Sequence, residues 1–264
     1  MIDKIIDGKK IADAIGGRLK LRLKKFPPLV LAVIVVGNNP VSRRYIRAKI
    51  EQARLLGIDV RVHEYGEAIT EGELKQEIIR LGADISIQGL IVQLPLPRHL
   101  DTDRVMTALP KTKDVDALSA HPLVNSPVVE AVREILLMAG QKPKGLTAAV
   151  IGAGRLVGRP VANWLAKNGA KVVMVNNIEK ERQVLKTVDL IVSGVGKPHI
   201  IKPADIKEGV IIIDAATSED NGQLSGDADP ACAQSCLVFT PVPGGVGPIT
   251  LVKLFENLAI LSGR

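Results

Sequence analysis

Aromatic residues are scarce in this chain of 264 residues, and their scarcity excludes one class of partner. One Trp, two Tyr and three Phe make up 2% of the sequence. Proteins that bind single-stranded nucleic acid stack bases on aromatic side chains, and this chain has too few for such a surface. The net charge of +7 suits anionic partners, but no predicted helix carries a dense basic run, so scattered surface lysines are favoured over nucleic-acid binding. A small anionic substrate or a phosphorylated cofactor is equally consistent with this charge.

Cysteine and histidine are also rare. The two cysteines, Cys232 and Cys236, and four widely separated histidines show no spacing typical of a metal site, so no metal is predicted. A lone pair of cysteines in such a chain is more often two reduced thiols than a site. The N-terminal stretch MIDKIIDGKKIADAI has no uninterrupted apolar segment, which indicates neither a signal peptide nor a membrane anchor. We expect a cytoplasmic protein without a membrane partner.

Apolar, β-branched runs alternate with stretches of helical periodicity over most of the chain. LVLAVIVVG, residues 29–37, indicates a buried strand, and residues 42–58 indicate the helix that follows it. Thr70 and Glu73 predict a capping box at the start of another helix. The same alternation resumes with LTAAVIGAG, LVGRPVANWLAKNG and AKVVMVN. This order predicts an α/β fold in which helices cover parallel sheets.

A turn-rich segment, KTKDVDALSAHPLVNSP at residues 111–127, interrupts the alternation and separates two βα series. We therefore predict two domains, each close to the usual domain size. The first domain spans residues 1–122. The second, of the nucleotide-binding type, spans residues 123–247.

A glycine-rich turn, IGAGRLVGRP at residues 151–160, lies between a predicted strand and a predicted helix. Gly152, Gly154 and Gly158 give the spacing G-x-G-x-x-x-G, one residue longer than the common dinucleotide pattern. Gly152 permits the tight turn, Gly154 lets the backbone approach a pyrophosphate, and the helix start directs N–H groups towards it. Glycine suits any tight turn, but the position between strand and helix favours a bound dinucleotide.

The next predicted strand ends in Asn176 and Asn177, where an acidic residue would bind the ribose diol of NAD. Lys180 and Arg182 follow and could lie near a 2′-phosphate. They could equally be ordinary solvated side chains. The sequence therefore predicts NADP in preference to NAD.

Tyr45 and Lys49 are four residues apart on a predicted helix, so they share one face. VQLPLP at residues 92–97 and KDVD at residues 113–116 come directly after predicted strands, where α/β sheets bind ligands. Tyr-x-x-x-Lys is also the catalytic pair of short-chain dehydrogenases. In those enzymes the nucleotide turn precedes the pair, and here the order is reversed.

Together these motifs resemble the bifunctional methylenetetrahydrofolate dehydrogenase/methenyltetrahydrofolate cyclohydrolase (FolD-type) family. The resemblance runs nearly end to end and rests on IIDGKKIA, VGNNPVSRRYIRAKIEQARLLGI, GLIVQLPLP, KDVD, IGAGRLVGRP, VGKP, IKEGVIIID and TPVPGGVGPIT. It implies two α/β domains flanking a cleft, the second Rossmann-like, and a C-terminal helix at residues 248–264 that completes the first domain. It also implies a homodimer.

The resemblance implies an enzyme that oxidises 5,10-methylenetetrahydrofolate with NAD(P) and hydrolyses the 5,10-methenyl product to 10-formyltetrahydrofolate. Such an enzyme serves one-carbon metabolism and the biosynthesis of purines, methionine and histidine. The implied catalytic residues are Lys49, Tyr45, Gln93 and Asp116. The implied folate contacts are Tyr45, Lys49, Val92, Gln93, Leu94, Asp116, Pro243, Gly244 and Gly245. The implied cofactor contacts are Gly152, Ala153, Gly154, Arg155, Val157, Gly158, Asn177 and Thr217.

The chain departs from the usual family pattern in several places. Gln88 stands where Asp is usual, Ala117 where Gly is usual, and IDAAT where IDVGIN is usual, and the stretch after KDVD is shortened. These departures leave two alternatives open. One is a cyclohydrolase with weak or lost dehydrogenase activity, and the other is a non-catalytic regulator that binds folate or nucleotide. An unrelated two-domain dehydrogenase is a more distant third.

The segment TPVPGGVGPIT, residues 240–250, combines prolines that stiffen the backbone with glycines that leave it bare. It is interpreted either as a rigid connector or, from the resemblance, as one wall of the folate site. If it is a wall, Gly245→Val is expected to impair folate binding far more than stability.

Overall fold

The computed structural model of the protein describes residues 3–220 and 223–264. The chain forms two compact units. One consists of Asp13–Pro127 with Leu251–Arg264 and is called the 13–127 unit. The other consists of Met1–Ala12 with Val128–Thr250 and is called the 128–250 unit.

The 13–127 unit contains a three-stranded parallel sheet in the order β2-β1-β3. Two helices that cross the boundaries of the unit, α1 and α8, have most of their residues in it. The elements are α1 (Gly8–Leu23), β1 (Val30–Val36), α2 (Pro40–Leu56), β2 (Asp59–Tyr65), α3 (Glu71–Ala83), β3 (Gly89–Val92), α4 (Thr102–Met106) and α8 (Val246–Leu261).

The sequence explains where these helices begin. The side chain of Asn39 accepts hydrogen bonds from the N–H groups of Val41 and Ser42, and so caps α2 six residues before Tyr45. Thr70 and Glu73 form the predicted capping box of α3. The strand predicted at residues 29–37 and the helix predicted at residues 42–58 are confirmed as β1 and α2 with small shifts of their ends.

Strand β1 is buried along its whole length and supplies both layers of the core of the 13–127 unit. Because side chains alternate between the faces of a strand, Leu31, Val33 and Val35 pack in one cluster and Ala32 and Ile34 in the other. The first cluster is completed by side chains of α1, α2 and α8, and the second by α3 and α4. Each large side chain buried in this way contributes about 1.5–3 kcal/mol.

The 128–250 unit contains a five-stranded parallel sheet in the order β10-β7-β6-β4-β5, and a two-stranded antiparallel pair, β8 and β9. The α/β class predicted from the sequence is therefore confirmed. The elements are α5 (Pro127–Met138), β4 (Thr147–Ile151), α6 (Gly158–Lys167), β5 (Lys171–Val175), α7 (Ile178–Glu181), β6 (Leu190–Ser193), β7 (Val210–Asp214), β8 (Ser218–Asp220), β9 (Gln223–Ser225) and β10 (Cys236–Phe239).

The strand order of the five-stranded sheet indicates where this unit would bind a ligand. From β4 the chain moves to β5 on one side, and then returns to β6 on the other side of β4. Ligands of open parallel sheets bind at the carboxyl ends of the strands where the order reverses in this way. The loops after β4 and β6 are therefore the expected binding loops of the 128–250 unit.

The TPVPGG turn, residues 240–245, packs against the chain itself. The Gly8 N–H donates to the Gly244 carbonyl at 2.9 Å, and a Cβ atom at Gly8 would overlap the Gly245 oxygen. A Cβ atom at Gly245 would lie 2.6 Å from the Pro241 oxygen. We therefore expect Gly245→Val to destabilise the protein, contrary to the expectation that its main effect would be on folate binding.

Ala117, which follows the KDVD motif, has a φ of 56°. This lies in the left-handed region, which costs residues other than glycine about 1–2 kcal/mol. Glycine, which the sequence resemblance implies at this position, adopts such a φ without this cost. Among residues 3–220 and 223–264, no helix combines the length and the hydrophobicity needed to span a membrane.

Alanine at Gly245 tests the packing of the turn. We expect Gly245→Ala to lower the free energy of unfolding by about 1–3 kcal/mol, because the added methyl group would overlap the Pro241 backbone oxygen. Gly247→Ala is the matched control, since a Cβ atom there meets nothing within 4 Å. Urea unfolding followed by the fluorescence of Trp164, the only tryptophan of the chain and a residue of the same unit, measures both. Equal stability of the two variants would contradict the packing.

Glycine at position 117 tests the left-handed conformation. We expect Ala117→Gly to raise the free energy of unfolding by about 0.5–1 kcal/mol, because relief of strain exceeds the entropy that glycine adds to the unfolded chain. Ala14→Gly, on the exposed side of α1, is expected to lower it by about 1 kcal/mol. Urea unfolding followed by circular dichroism compares them, and a loss of stability in both variants would exclude strain at Ala117.

Candidate active site

The centre of the candidate site in the 13–127 unit is a hydrogen bond between Lys49 and Gln93. Lys49 is half-buried on α2, and its Nζ donates to Gln93 Oε1 at 2.8 Å. Gln93 follows β3 directly, and its Nε2 donates to the Leu94 carbonyl at 2.7 Å. Because the two ends of the amide have different partners, its orientation is fixed. The acceptor end faces the lysine.

Asp116 lies in a loop that is held by two buried polar residues. Asp114 Oδ2 accepts from the Ser119 N–H at 2.7 Å, and its Oδ1 accepts from the Leu118 N–H at 3.1 Å. Asn257 of α8 donates from Nδ2 to the Val115 carbonyl at 2.9 Å. The KDVD segment is thus tied to α8 through Val115, and to β3 because the Leu90 N–H donates to the Lys113 carbonyl at 2.7 Å.

Sequence reasoning missed Asp114 and Asn257 as supports of the site. Both are almost completely buried, with exposed fractions of 0% and 2%. The available signal was a polar residue among apolar ones, because Asn257 interrupts the apolar stretch LVKLFENLAIL. A buried amide requires partners, and here the partners are the carbonyls of Val115 and Asn125.

Burial changes the ionisation of Lys49 and Asp116. Burial lowers the pKa of Lys49, and the negative charge of Asp116 raises it in part. Burial raises the pKa of Asp116, while the Lys49 charge lowers it and the Asp114 charge raises it. A lysine with a lowered pKa provides a neutral amine, which can accept a proton, at a less alkaline pH than an exposed lysine does.

The remaining folate contacts that the resemblance implies have different surroundings. Tyr45 lies one turn before Lys49 on α2 and is 44% exposed, so its ring is accessible to a ligand. Val92 is buried at the end of β3, and the Leu94–Pro95 peptide bond that follows is cis. In the 128–250 unit, Pro243 and Gly244 are exposed and Gly245 is buried.

The glycine-rich turn of the 128–250 unit connects β4 to α6. Gly152 has a φ of 85°, which favours glycine, and a Cβ atom at Gly158 would overlap the Gly152 oxygen. At Gly154 a Cβ atom would meet nothing within 4 Å, so this residue leaves space beside the turn. A turn that is closed by two glycines and open at the third fits a dinucleotide pyrophosphate.

The start of α6 offers fewer N–H donors than the sequence predicted. The Arg159 N–H donates to the Gly154 carbonyl at 3.0 Å, and Pro160 has no N–H group. Arg159 Nε also donates to the Ala153 carbonyl at 2.9 Å, so the turn is braced by its own helix. The N-cap residue, Val157, provides no side-chain acceptor.

The other predicted cofactor residues follow the same sheet. Asn177 caps α7, and its Oδ1 accepts from the Glu179 N–H at 3.1 Å. Thr217 is exposed in the loop after β7, and Arg155 is half-buried in the glycine-rich turn. Of the two cations considered for a 2′-phosphate, Arg182 forms an ion pair with Asp205, whereas Lys180 is exposed.

Two buried carboxylates of the 128–250 unit were also missed. Asp214 is the last residue of β7 and accepts from the N–H groups of Ala216 at 3.0 Å and Ala228 at 2.8 Å. Burial raises the pKa of Asp214 to about 7. Asp227 is fully buried in the segment after β9 and accepts hydrogen bonds from the loop after β6.

No metal centre is present in the part of the chain that the structure describes, where no group of three or more His, Cys, Asp or Glu side chains could hold an ion. Cys232 and Cys236 are free and buried. Burial raises the pKa of the Cys232 thiol to about 11 and that of the Cys236 thiol to about 12. Both thiols are therefore protonated at neutral pH.

Two family models match the chain. Residues 6–116 match the catalytic domain of tetrahydrofolate dehydrogenase/cyclohydrolase, and residues 126–263 match its NAD(P)-binding domain. The bifunctional protein FolD of Campylobacter concisus is 39% identical over 96% of this chain and 95% of its own length. The bifunctional protein FolD of Halothermothrix orenii is 36% identical over 96% of both chains.

Solved structures give the same result. The bifunctional FolD enzyme of Campylobacter jejuni has a TM-score of 0.92 and 32% identity, with 98% of each chain covered. FolD of Trypanosoma brucei, solved with NADP and an inhibitor, has a TM-score of 0.90 and 30% identity over 98% of this chain and 97% of its own. The family resemblance drawn from the motifs is confirmed: this chain belongs to the tetrahydrofolate dehydrogenase/cyclohydrolase family.

Proposed function

We propose that this chain is a bifunctional folate enzyme that oxidises 5,10-methylenetetrahydrofolate to 5,10-methenyltetrahydrofolate and hydrolyses the product to 10-formyltetrahydrofolate. The observation that carries the proposal is the hydrogen bond of 2.8 Å between Lys49 Nζ and Gln93 Oε1. The electrostatic interaction of Lys49 with Asp116 accompanies it, in a chain that matches both domains of the family. We assign folate binding to the first of the predicted domains and nucleotide binding to the second.

The oxidation depends on orientation. A hydride leaves the one-carbon bridge of the substrate as the neighbouring nitrogen lone pair forms the methenyl cation, and no strong base is needed. When bound, the nicotinamide nucleotide supplies the hydride acceptor. The glycine-rich turn at residues 152–158 fits its pyrophosphate, because Gly154 leaves open space where Gly152 and Gly158 close the turn.

The hydrolysis requires proton transfer, which we assign to Lys49. Water adds to the methenyl carbon and gives up a proton to the neutral amine of Lys49. The hydroxyl group of the adduct then gives up its proton as the bond from that carbon to N5 breaks and N5 takes up a proton, which leaves the formyl group on N10. One proton is released overall, from Lys49 to solvent. Gln93 holds the amine of Lys49 in place. Burial lowers the pKa of Lys49 towards the range in which the amine can act as a base.

The other implied residues bind the substrate. We propose that the Asp116 carboxylate accepts hydrogen bonds from N–H groups of the pterin, because hydrogen bonds to a charged acceptor are stronger than those to a neutral one. Tyr45 contacts the ring system with its exposed side chain. Val92, Leu94 and residues 243–245 contribute the further contacts that the family resemblance implies.

NADP is proposed as the cofactor in preference to NAD. Asn177 gives no carboxylate for a ribose diol, and Lys180 is an exposed cation three residues further on. A homodimer in the cytoplasm that serves purine, methionine and histidine biosynthesis completes the proposal. The dimer would elute at twice the chain mass of 28.2 kDa in size-exclusion chromatography with light scattering.

Replacement of Lys49 tests the proposed enzyme. We expect Lys49→Met to lower the cyclohydrolase rate by about 100-fold or more, because the general base is lost. The melting temperature should change by less than about 4 °C, because methionine fills the same space without a buried amine. Lys20→Met, on the exposed side of α1, removes the same charge and should keep full activity. A full rate in Lys49→Met would exclude Lys49 as the general base, and the absence of any rate in the wild-type protein would support a non-catalytic regulator instead.

Replacement of Asp116 tests the electrostatics. The charge of Asp116 raises the pKa of Lys49, so its removal in Asp116→Asn lowers that pKa. The neutral amine then forms at lower pH, and the rise of cyclohydrolase kcat with pH, measured at saturating folate, should move to lower pH. Asp59→Asn, an exposed residue of the same unit, should leave the profile in place. A shift to higher pH in Asp116→Asn would exclude Lys49 as the base.

Parallel assays with NADP and NAD test the cofactor. We expect a kcat/KM at least about tenfold higher with NADP than with NAD, because one contact between the 2′-phosphate and a cation provides about this much discrimination. Lys180→Ala should reduce this ratio, and Arg182→Ala should not, because Arg182 is paired with Asp205. Methenyl hydrolysis without reduction of either nucleotide would indicate a cyclohydrolase that has lost the dehydrogenase step.

A further inference from the structure

The loop after β6 is held by a single buried carboxylate. Asp227 Oδ1 accepts from the N–H groups of Gly196 at 2.9 Å and Lys197 at 2.8 Å. Its Oδ2 accepts from the Val195 N–H at 2.8 Å and from the Ser193 hydroxyl. Asp227 is completely buried. Three consecutive backbone N–H groups of the loop therefore point at one side chain from a distant part of the sequence.

This loop contacts the glycine-rich turn. A Cβ atom at Gly152 would lie 3.0 Å from Val195 Cγ2, and one at Gly194 would lie 2.5 Å from Val157 Cγ1. The loop follows β6, which neighbours β4 where the strand order reverses. The conformation of residues 194–197 therefore sets the shape of the crevice in which an open parallel sheet binds its ligand.

The position of Asp227 is itself fixed by backbone hydrogen bonds. The Ile201 N–H donates to the Asp227 carbonyl at 3.0 Å, and the His199 N–H donates to the Gly226 carbonyl at 3.1 Å. Gly196 has a φ of 78°, which favours glycine and turns its N–H towards the carboxylate. The carboxylate is thus a rigid acceptor, and the loop adapts to it.

We propose that Asp227 is a positioning residue for the nicotinamide nucleotide, which holds residues 195–197 in the conformation that receives the cofactor. The inference rests on the proposed function. The carboxylate of Asp227 accepts hydrogen bonds from all four donors. The amide of an asparagine at this position would present one N–H₂ group, which cannot accept a hydrogen bond from a backbone N–H. Without the acceptor, the part-buried N–H groups of residues 195–197 lose their partner, and the loop must move to regain one. Asp227 touches neither cofactor nor folate in this role.

Asp227→Asn tests this role in the full-length protein. We expect the KM for NADP in the dehydrogenase assay to rise about tenfold, as the loss of one buried acceptor predicts, with kcat at saturating NADP within about threefold of wild type. Hydrolysis of methenyltetrahydrofolate, which needs no nucleotide, should remain unchanged. Asp229→Asn is the matched control, because it makes the same charge change two residues away and asparagine caps the Ala231 N–H equally well.

Ser193→Ala provides a second variant if Asp227→Asn does not fold. It removes one donor and leaves the carboxylate with the three backbone partners, so we expect a smaller rise in the KM for NADP, about threefold, with hydrolysis unchanged. A parallel fall of both activities at constant KM would show that Asp227 supports only the fold and would overturn the inference, as would an unchanged KM in both variants. A wild-type protein that reduces no nucleotide would instead contradict the proposed function.

Discussion

Buried carboxylates that accept backbone N–H groups control the loops of both units. Asp114 holds the segment around Asp116 in the 13–127 unit, and Asp227 holds residues 195–197 in the 128–250 unit. A buried carboxylate costs much free energy unless its oxygens are hydrogen-bonded, and a backbone N–H group left without an acceptor costs a smaller amount. Each group therefore stabilises the other. Loops that would otherwise sample many conformations acquire one.

Parallel sheets explain why such loops are needed. Within each parallel sheet, the loops that follow the strands lie at one edge, where backbone groups lack sheet partners. Gln93 is one residue at such an edge whose side chain contributes to the site. Its backbone N–H donates to the Ile34 carbonyl of the neighbouring strand, and its side-chain amide accepts from Lys49. The geometry of the proposed catalytic pair is thus inherited from strand pairing. Strand pairing fixes the position of Gln93, and the flexible side chain of Lys49 then reaches its amide oxygen.

Close backbone contact is the second means of shaping the sites. Gly8, Gly158 and Gly245 each face backbone oxygens at distances that exclude a side chain. Other glycines, such as Gly154 and Gly247, face open space. A glycine-rich motif therefore contains residues with opposite roles, since some allow the chain to pack on itself and others leave room for a ligand. The TPVPGG turn contains one glycine of each kind, because Gly245 faces backbone and Gly244 faces open space.

The sequence by itself determined the α/β class, the strand at β1, the helix α2, the capping box at Thr70 and the family, because these depend on local periodicity and on ordered motifs. It also brought Tyr45 and Lys49 to one helix face. Only the tertiary structure decided that Asn257 and Asp227 support the loops, that Arg182 is engaged by Asp205, and that Gly245 packs on backbone. Those features join residues far apart in the chain, and no local pattern records which buried donor will find which acceptor.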